Sequence, residues 1–152
     1  MQMMQTSSNA SLNTLLDHYA ESHRNPRNEL IHCVCVPAIV FAVLGMILSA
    51  NIGLALIAVG LSLLYYIRLG WRAAFEMAVI LIAMLFAWLM LMPTHHMLAS
   101  AILIFALAWV GQFVGHAIEG AKPSFLEDLQ YLLVGPLFVL AVIKRKWPVA
   151  TR

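Results

Sequence analysis

Charge is what this sequence has least of. Of its 152 residues only 11% are Asp, Glu, Lys or Arg, where an ordinary soluble domain carries about 25%. Hydrophobic residues fill the gap at 62%, against roughly 45–50% in such a domain. A soluble fold of this length could not hide so much apolar surface, so lipid must cover the remainder and the chain belongs in a bilayer. Net charge is +2, from 9 Lys+Arg against 7 Asp+Glu, and no basic cluster interleaves with aromatics, which leaves a nucleic-acid partner without support. Cysteine is nearly absent. Cys33 and Cys35 lie two apart on one apolar segment, where helical neighbours point away from each other and cannot close a disulfide, so they read as packing residues. The first 29 residues contain no continuous apolar core, so no cleavable signal peptide is expected and the spans themselves target the chain. P-loop, G-x-S-x-G, H-E-x-x-H and C-x-x-C patterns are all missing.

What is present is helical periodicity. Leu12, Leu15, Leu16, Tyr19 and His23 recur at helical spacing with Asp17 and Glu21 opposite, which predicts an amphipathic helix on the membrane surface within residues 1–25. Asn25-Pro26 then restarts the chain: Asn suits an N-cap, and Pro suits the first helical position, where its missing N–H would have no partner. Apolar runs follow over 30 to 50, 52 to 67, 73 to 92 and 97 to about 115. At ~1.5 Å per residue most approach the ~30 Å of a hydrocarbon core, the second only if it extends through Arg68. The fold class expected is therefore all-α, an integral membrane bundle of four spans in two hairpins over 26–118. A fifth apolar stretch, 129 to 143, is shorter and is interrupted at Gly135-Pro136. Arg24, Arg27, Arg68, Arg72 and Lys122 all fall on one side of such a bundle, and the opposite loops hold no Lys or Arg. Because Lys144, Arg145 and Lys146 would break that asymmetry if the last stretch crossed, it is expected to be re-entrant or to lie on the surface, with both termini cytoplasmic and a basic tail at 144–152. Ser124 and Glu127 fit a capping box for a helical segment at 124–143, and Gly120 is placed to end the fourth span. Gly45, Gly53 and Gly60 could permit close helix contact, but their spacings make no G-x-x-x-G pattern, and the oligomeric state stays open.

Topology sorts the six histidines. His18, His23, His32 and His116 fall at the cytoplasmic boundary, and His95 and His96 follow Met92-Pro93 at the other, where a plain turn explains them. His32 and His116 lie inside spans, where an ionisable side chain is costly unless it faces the bundle interior. Glu119 follows His116 by three positions and Asn28 precedes His32 by four, so each pair shares a helix face. Several imidazoles with a carboxylate suit a non-haem Fe(II) centre that binds oxygen, and His23, His32, His116 and Glu119 could supply that shell; hydrogen-bonded packing is the plainer reading for any one of them. His18 reads as an interfacial histidine on the helix flank. Glu76, four residues after Arg72, reads as a local ion pair, with a substrate or proton role as the alternative.

Two stretches carry a resemblance: Tyr19-Ala-Glu-Ser-His23-Arg-Asn25-Pro26-Arg-Asn28-Glu-Leu-Ile31-His32, running on to Pro37, and Gln112-Phe-Val-Gly115-His116-Ala-Ile-Glu119-Gly120-Ala-Lys122-Pro123-Ser. They resemble the membrane family of 2-hydroxy fatty acid dioxygenases, formerly catalogued as a domain of unknown function, over roughly residues 19 to 143. The resemblance implies an Fe(II)-dependent α-oxidation in which a 2-hydroxy fatty acid and O2 give the acid one carbon shorter and CO2. It also implies that His23, His32 and His116 hold the iron, the set that topology selects independently. Arg24 stands where the fungal pattern carries a second histidine, and one residue fewer separates His116 from Glu119, which leaves the fourth ligand open. Tyr19 and Asn28 become candidates to orient a ligand imidazole by hydrogen bonding. Arg24, Arg27 or Lys122 could pair with the substrate carboxylate, solvated topology charges being the plainer reading. The shortness of the chain beside fungal members suggests a bacterial inner membrane. Two other classes stay in play: a small transporter, to which only Glu76 and the broken last segment point, and a structural membrane protein that would need none of the histidines. The topology has a direct check: a reporter that matures only in the cytoplasm should be active when fused at either end and silent when inserted at Thr94, and the reverse pattern would overturn the orientation.

Overall fold

The computed structural model describes residues 14–17, 25–120 and 132–144, and every regular element among them is helical. Five helices carry the architecture: α1 (Pro26–Ala50), α2 (Ile52–Leu69), α3 (Trp71–Leu91), α4 (Thr94–Glu119) and α5 (Gly135–Ile143). The first four are long and apolar enough to cross a membrane. Their 18 to 26 residues correspond to about 27–39 Å at ~1.5 Å per residue. α2 runs through Arg68, the extension on which its span depends.

The helix boundaries follow from local chemistry. Asn25 caps α1 by accepting from the Arg27 N–H at 3.0 Å, and Pro26 occupies the first turn. A single residue, Asn51, joins α1 to α2: its N–H bonds the Ile47 carbonyl, and its side chain accepts from Gly53 N at 2.7 Å and Leu54 N at 3.2 Å. Gly70 alone joins α2 to α3 at φ 146°, a conformation open to glycine and little else. Gly120 closes α4 in the left-handed region at φ 76°, its N–H directed at the His116 and Ala117 carbonyls.

The tightest pairing is between the first and last spans rather than within a hairpin. α4 packs chiefly along α1, while the consecutive α3 and α4 make little backbone approach to each other. Gly111 and Gly115 explain the closeness: a Cβ on Gly111 would overlap Cys35 Sγ, and one on Gly115 would overlap Asn28 Oδ1. These two glycines form a G-x-x-x-G spacing that the reading of Gly45, Gly53 and Gly60 did not include; it lies in α4 and serves a contact within the chain. Gly45 has the same use against α3, because a Cβ there would overlap the Trp88 ring. Trp88 cannot yield easily. It is 1% exposed, donates Nε1–H to the Phe41 carbonyl at 2.8 Å and stacks on the Phe41 ring at 4.5 Å. Outward faces such as Leu56, Leu61, Phe86, Leu103 and Leu107 are exposed, as lipid contact requires.

The C-terminal segment starts and ends at one end of the bundle. Leu133 is held there by the Tyr66 hydroxyl, which donates to its carbonyl at 2.8 Å. Lys144 is held there by Glu76 at 2.6 Å, and Arg72 Nε adds a 3.4 Å contact to the same carboxylate oxygen. Tyr66 and Glu76 flank the Gly70 turn, and α5 between the two anchors has nine residues, about 13.5 Å, too short to cross a ~30 Å core. Gly135-Pro136 begins this helix instead of breaking one, because a proline at the first turn sacrifices no intrahelical bond. Val134, Leu137 and Phe138 join Leu16 in the core that α1, α2 and α3 build. Of the amphipathic N-terminal helix, 14–17 are helical with Leu16 buried and Asp17 exposed; Leu12, His18, Tyr19, Glu21 and His23 lie outside the described residues. So do Arg24, Lys122, the Ser124/Glu127 capping box, and Arg145 and Lys146 of the tail.

Overpacking a rigid core site costs typically 1–3 kcal/mol. Gly45→Ala should therefore lower the unfolding midpoint of the detergent-solubilised protein clearly, whereas Gly60→Ala, which meets nothing within 4 Å, should leave it unchanged or raise it.

Candidate functional site

Four polar side chains are buried among the described residues: Asn28, His32, Gln112 and His116. All four lie on α1 or α4, near the end of the bundle marked by Arg27, Arg68 and Arg72. Helical spacing puts them there, since Asn28, His32, Cys35 and Ile39 form one stripe of α1, and Gln112, Gly115, His116 and Glu119 one face of α4. The two helices run antiparallel with Asn25 against Glu119, Asn28 against Gly115 and Cys35 against Gly111.

Glu119 fastens this end. Its Oε1 and Oε2 accept from the Asn25 backbone N–H at 3.1 and 2.8 Å, and Oε2 also accepts from Asn28 Nδ2 at 3.1 Å. A carboxylate in the last turn of α4 is unfavourably placed for its own helix dipole and favourably placed for the N-terminus of α1, where unmet N–H groups carry partial positive charge. The bridge joins positions 94 apart in sequence.

The clamp brings two imidazoles together. His32 and His116 meet edge to face, ring centroids 5.1 Å apart and planes at 87°. His32 Nδ1 lies 3.0 Å from the Asn28 carbonyl oxygen. A carbonyl only accepts, so Nδ1 carries the proton and Nε2 of the neutral ring carries the lone pair, the arrangement by which a second partner prepares a histidine to bind metal. Imidazole nitrogen suits iron, zinc, copper and nickel. Among the described residues no group of three or more His, Cys, Asp or Glu side chains converges, so His32 and His116 fit part of a metal shell. The third imidazole named by the sequence, His23, lies outside the described residues, as do Tyr19 and His18.

The remaining candidates are accounted for elsewhere. Asn28 offers its main-chain carbonyl to His32 Nδ1 and donates its side-chain amide to Glu119. Glu76 is the ion pair read from the sequence, with Lys144 as a further partner; the transporter reading rested on that residue and on the last segment, and both have structural uses. Arg27 is exposed, and the His95 and His96 rings sit 4.1 Å apart on the far side. Reasoning from sequence gave no role to Gln112. It is 2% exposed, and neither amide atom has a hydrogen-bond partner among the described residues, although an unmet buried donor or acceptor costs about 1–3 kcal/mol. Its position one turn before His116 on an intramembrane helix was the signal available.

Fold and site together define a class, a multi-pass helical membrane protein with a buried histidine pair where its first and last spans join. Comparison with known proteins then gives the family. Residues 9–147 match the family described as 2-hydroxy-palmitic acid dioxygenase Mpo1-like. The chain is 31% identical over 138 residues to the 2-hydroxy-palmitic acid dioxygenase MPO1 of Saccharomyces cerevisiae, covering 85% of this chain and 77% of that protein. It belongs to the Mpo1-like family, as the two motifs indicated. No solved structure matches it.

Because hydrogen bonds to a charged group contribute about 1.5–3 kcal/mol, Glu119→Ala should destabilise the protein by roughly 2 kcal/mol or more in a denaturant titration. Glu119→Gln, which keeps one acceptor oxygen, should recover part of the loss; equal stability of all three forms would remove Glu119 from the clamp.

Proposed function

We propose that the chain is an Fe(II)-dependent dioxygenase that shortens 2-hydroxy fatty acids by one carbon with release of CO2. The observation that carries the reading is the gathering of the buried polar side chains Asn28, His32, Gln112 and His116 at one junction, in a chain of the Mpo1-like family. Per turnover, RCH(OH)COOH and O2 give RCOOH, CO2 and H2O: the bond between the carboxyl carbon and C2 breaks, and C2 is oxidised to the new carboxyl.

His32 and His116, with His23, would hold the iron. When bound, iron(II) supplies the redox chemistry through which O2 reacts with an organic acid. The chain's own residues prepare the site. The Asn28 carbonyl fixes the tautomer of His32, and Glu119 holds Asn28 and the start of α1 against α4. Both carboxylate oxygens of Glu119 serve that junction, so its role here is positioning rather than ligation. Apolar packing around the rings excludes bulk water, which strengthens polar interactions inside. The site lies about two turns into α1, close enough to the bundle end for a carboxylate head group to arrive from the aqueous side while an acyl tail stays in the apolar layer. By the positive-inside distribution that side is cytoplasmic.

The test is iron content and turnover of 2-hydroxypalmitate in anaerobically purified protein. Wild type should hold about one iron per chain. His32→Ala and His116→Ala should lose iron and more than about a hundredfold in activity, beyond the 10- to 100-fold typical of residues that merely orient ligands. Full activity in either variant would refute the assignment.

A further inference from the structure

We infer that Gln112 is the residue that recognises the 2-hydroxy acid head group, its Oε1 accepting from the substrate's 2-hydroxyl and its Nε2 donating to a carboxylate oxygen. The inference rests on the proposed function and adds to it the group that distinguishes a hydroxylated acid from a plain one.

Three observations carry it. Gln112 is 2% exposed, yet both its amide oxygen and its amide nitrogen are without a hydrogen-bond partner among the described residues. Buried polar groups are nearly always satisfied, so a side chain left unmet at both atoms is held ready for something that enters the site. Which amide atom is oxygen does not affect the argument, since both are unmet.

The second observation is depth. α1 and α4 are antiparallel, and Asn25 faces Glu119, Asn28 faces Gly115 and Cys35 faces Gly111. In that register Gln112 falls at the level of His32, between the Asn28 and Cys35 levels, one turn deeper than His116. A ligand held beside the histidine pair is within reach of it.

Chemistry supplies the third. A primary amide presents a donor and an acceptor side by side, and a 2-hydroxy acid presents a hydroxyl donor and a carboxylate acceptor on adjacent carbons. A palmitate-like acid fills only half of that pattern and leaves Oε1 buried and unmet, which is how a site built for a hydroxyl rejects the analogue that lacks it. Gly111 and Gly115, on either side of Gln112, bring α1 close to α4 at this level.

The experiment compares wild type with Gln112→Met and Gln112→Leu, each the full chain in detergent, loaded with Fe(II) and kept anaerobic. Affinities for 2-hydroxypalmitate and for palmitate, iron content and the melting temperature without ligand are measured on the same samples. Wild type should prefer the hydroxylated acid at least tenfold. The variants should lose that preference because 2-hydroxypalmitate, which loses both contacts, weakens far more than palmitate, with iron content unchanged. Their ligand-free melting temperature should be equal or higher, because an apolar side chain removes two unmet polar atoms. A preference retained in both variants would overturn the inference, as would loss of iron or a fall in melting temperature in both, which would make Gln112 part of the metal shell or of the packing. A wild type that binds both acids alike would also overturn it, whereas a wild type that holds no iron and binds neither acid would defeat the proposed function itself.

Discussion

Everything at the candidate site depends on how closely α1 can lie against α4. Two glycines one turn apart remove the side chains that would hold the helices off, and a carboxylate at the end of one helix ties down the start of the other. Neither device suffices alone. Glycines permit approach without fixing register, whereas the Glu119 bridge fixes which residues face each other, and so sets His32 beside His116. In an apolar bilayer there is little hydrophobic gain from pairing spans, so close packing and polar bridges of this kind decide which helices associate. The first and last spans are joined for this reason, and the chain folds back on itself rather than into two independent hairpins.

The rest of the bundle supports that junction. Trp88 anchors α3 to α1 through the Phe41 carbonyl, and the single-residue links at Asn51 and Gly70 leave α2 little freedom between its neighbours. The short α5 rests on the same end, tethered by Tyr66 at one side and by Glu76 at the other. Two ionisable side chains that would be expensive in lipid are thereby spent on tertiary structure. The four buried polar residues Asn28, His32, Gln112 and His116 stand apart from these anchors.

Much of this was legible in the sequence because it rests on local rules. Span number follows from composition and length, the start of α1 from Asn25-Pro26, and the end of α4 from Gly120. The Arg72–Glu76 pair follows from four-residue spacing. Charge asymmetry indicated that the last segment does not cross, and its two anchors lie at one end of the bundle. What was not legible depends on contacts between distant positions. No local pattern tells that the Glu119 carboxylate will meet the Asn25 N–H, since its spacing from His116 points along its own helix and not across to α1. The Gly111 and Gly115 spacing was present in the sequence, but its meaning required knowing that Asn28 and Cys35 lie opposite. Gln112 sat in plain view inside a motif, and only its burial without partners gives it a role.

The claim on which the account turns is that imidazoles from the two joined helices share one iron. X-ray absorption at the iron K-edge of the anaerobic, Fe(II)-loaded protein tests it most directly. The account predicts the outer-shell scattering of imidazole rings, weakened by replacement of His32 and again by replacement of His116. A spectrum of oxygen ligands alone, unchanged in both variants, would contradict it.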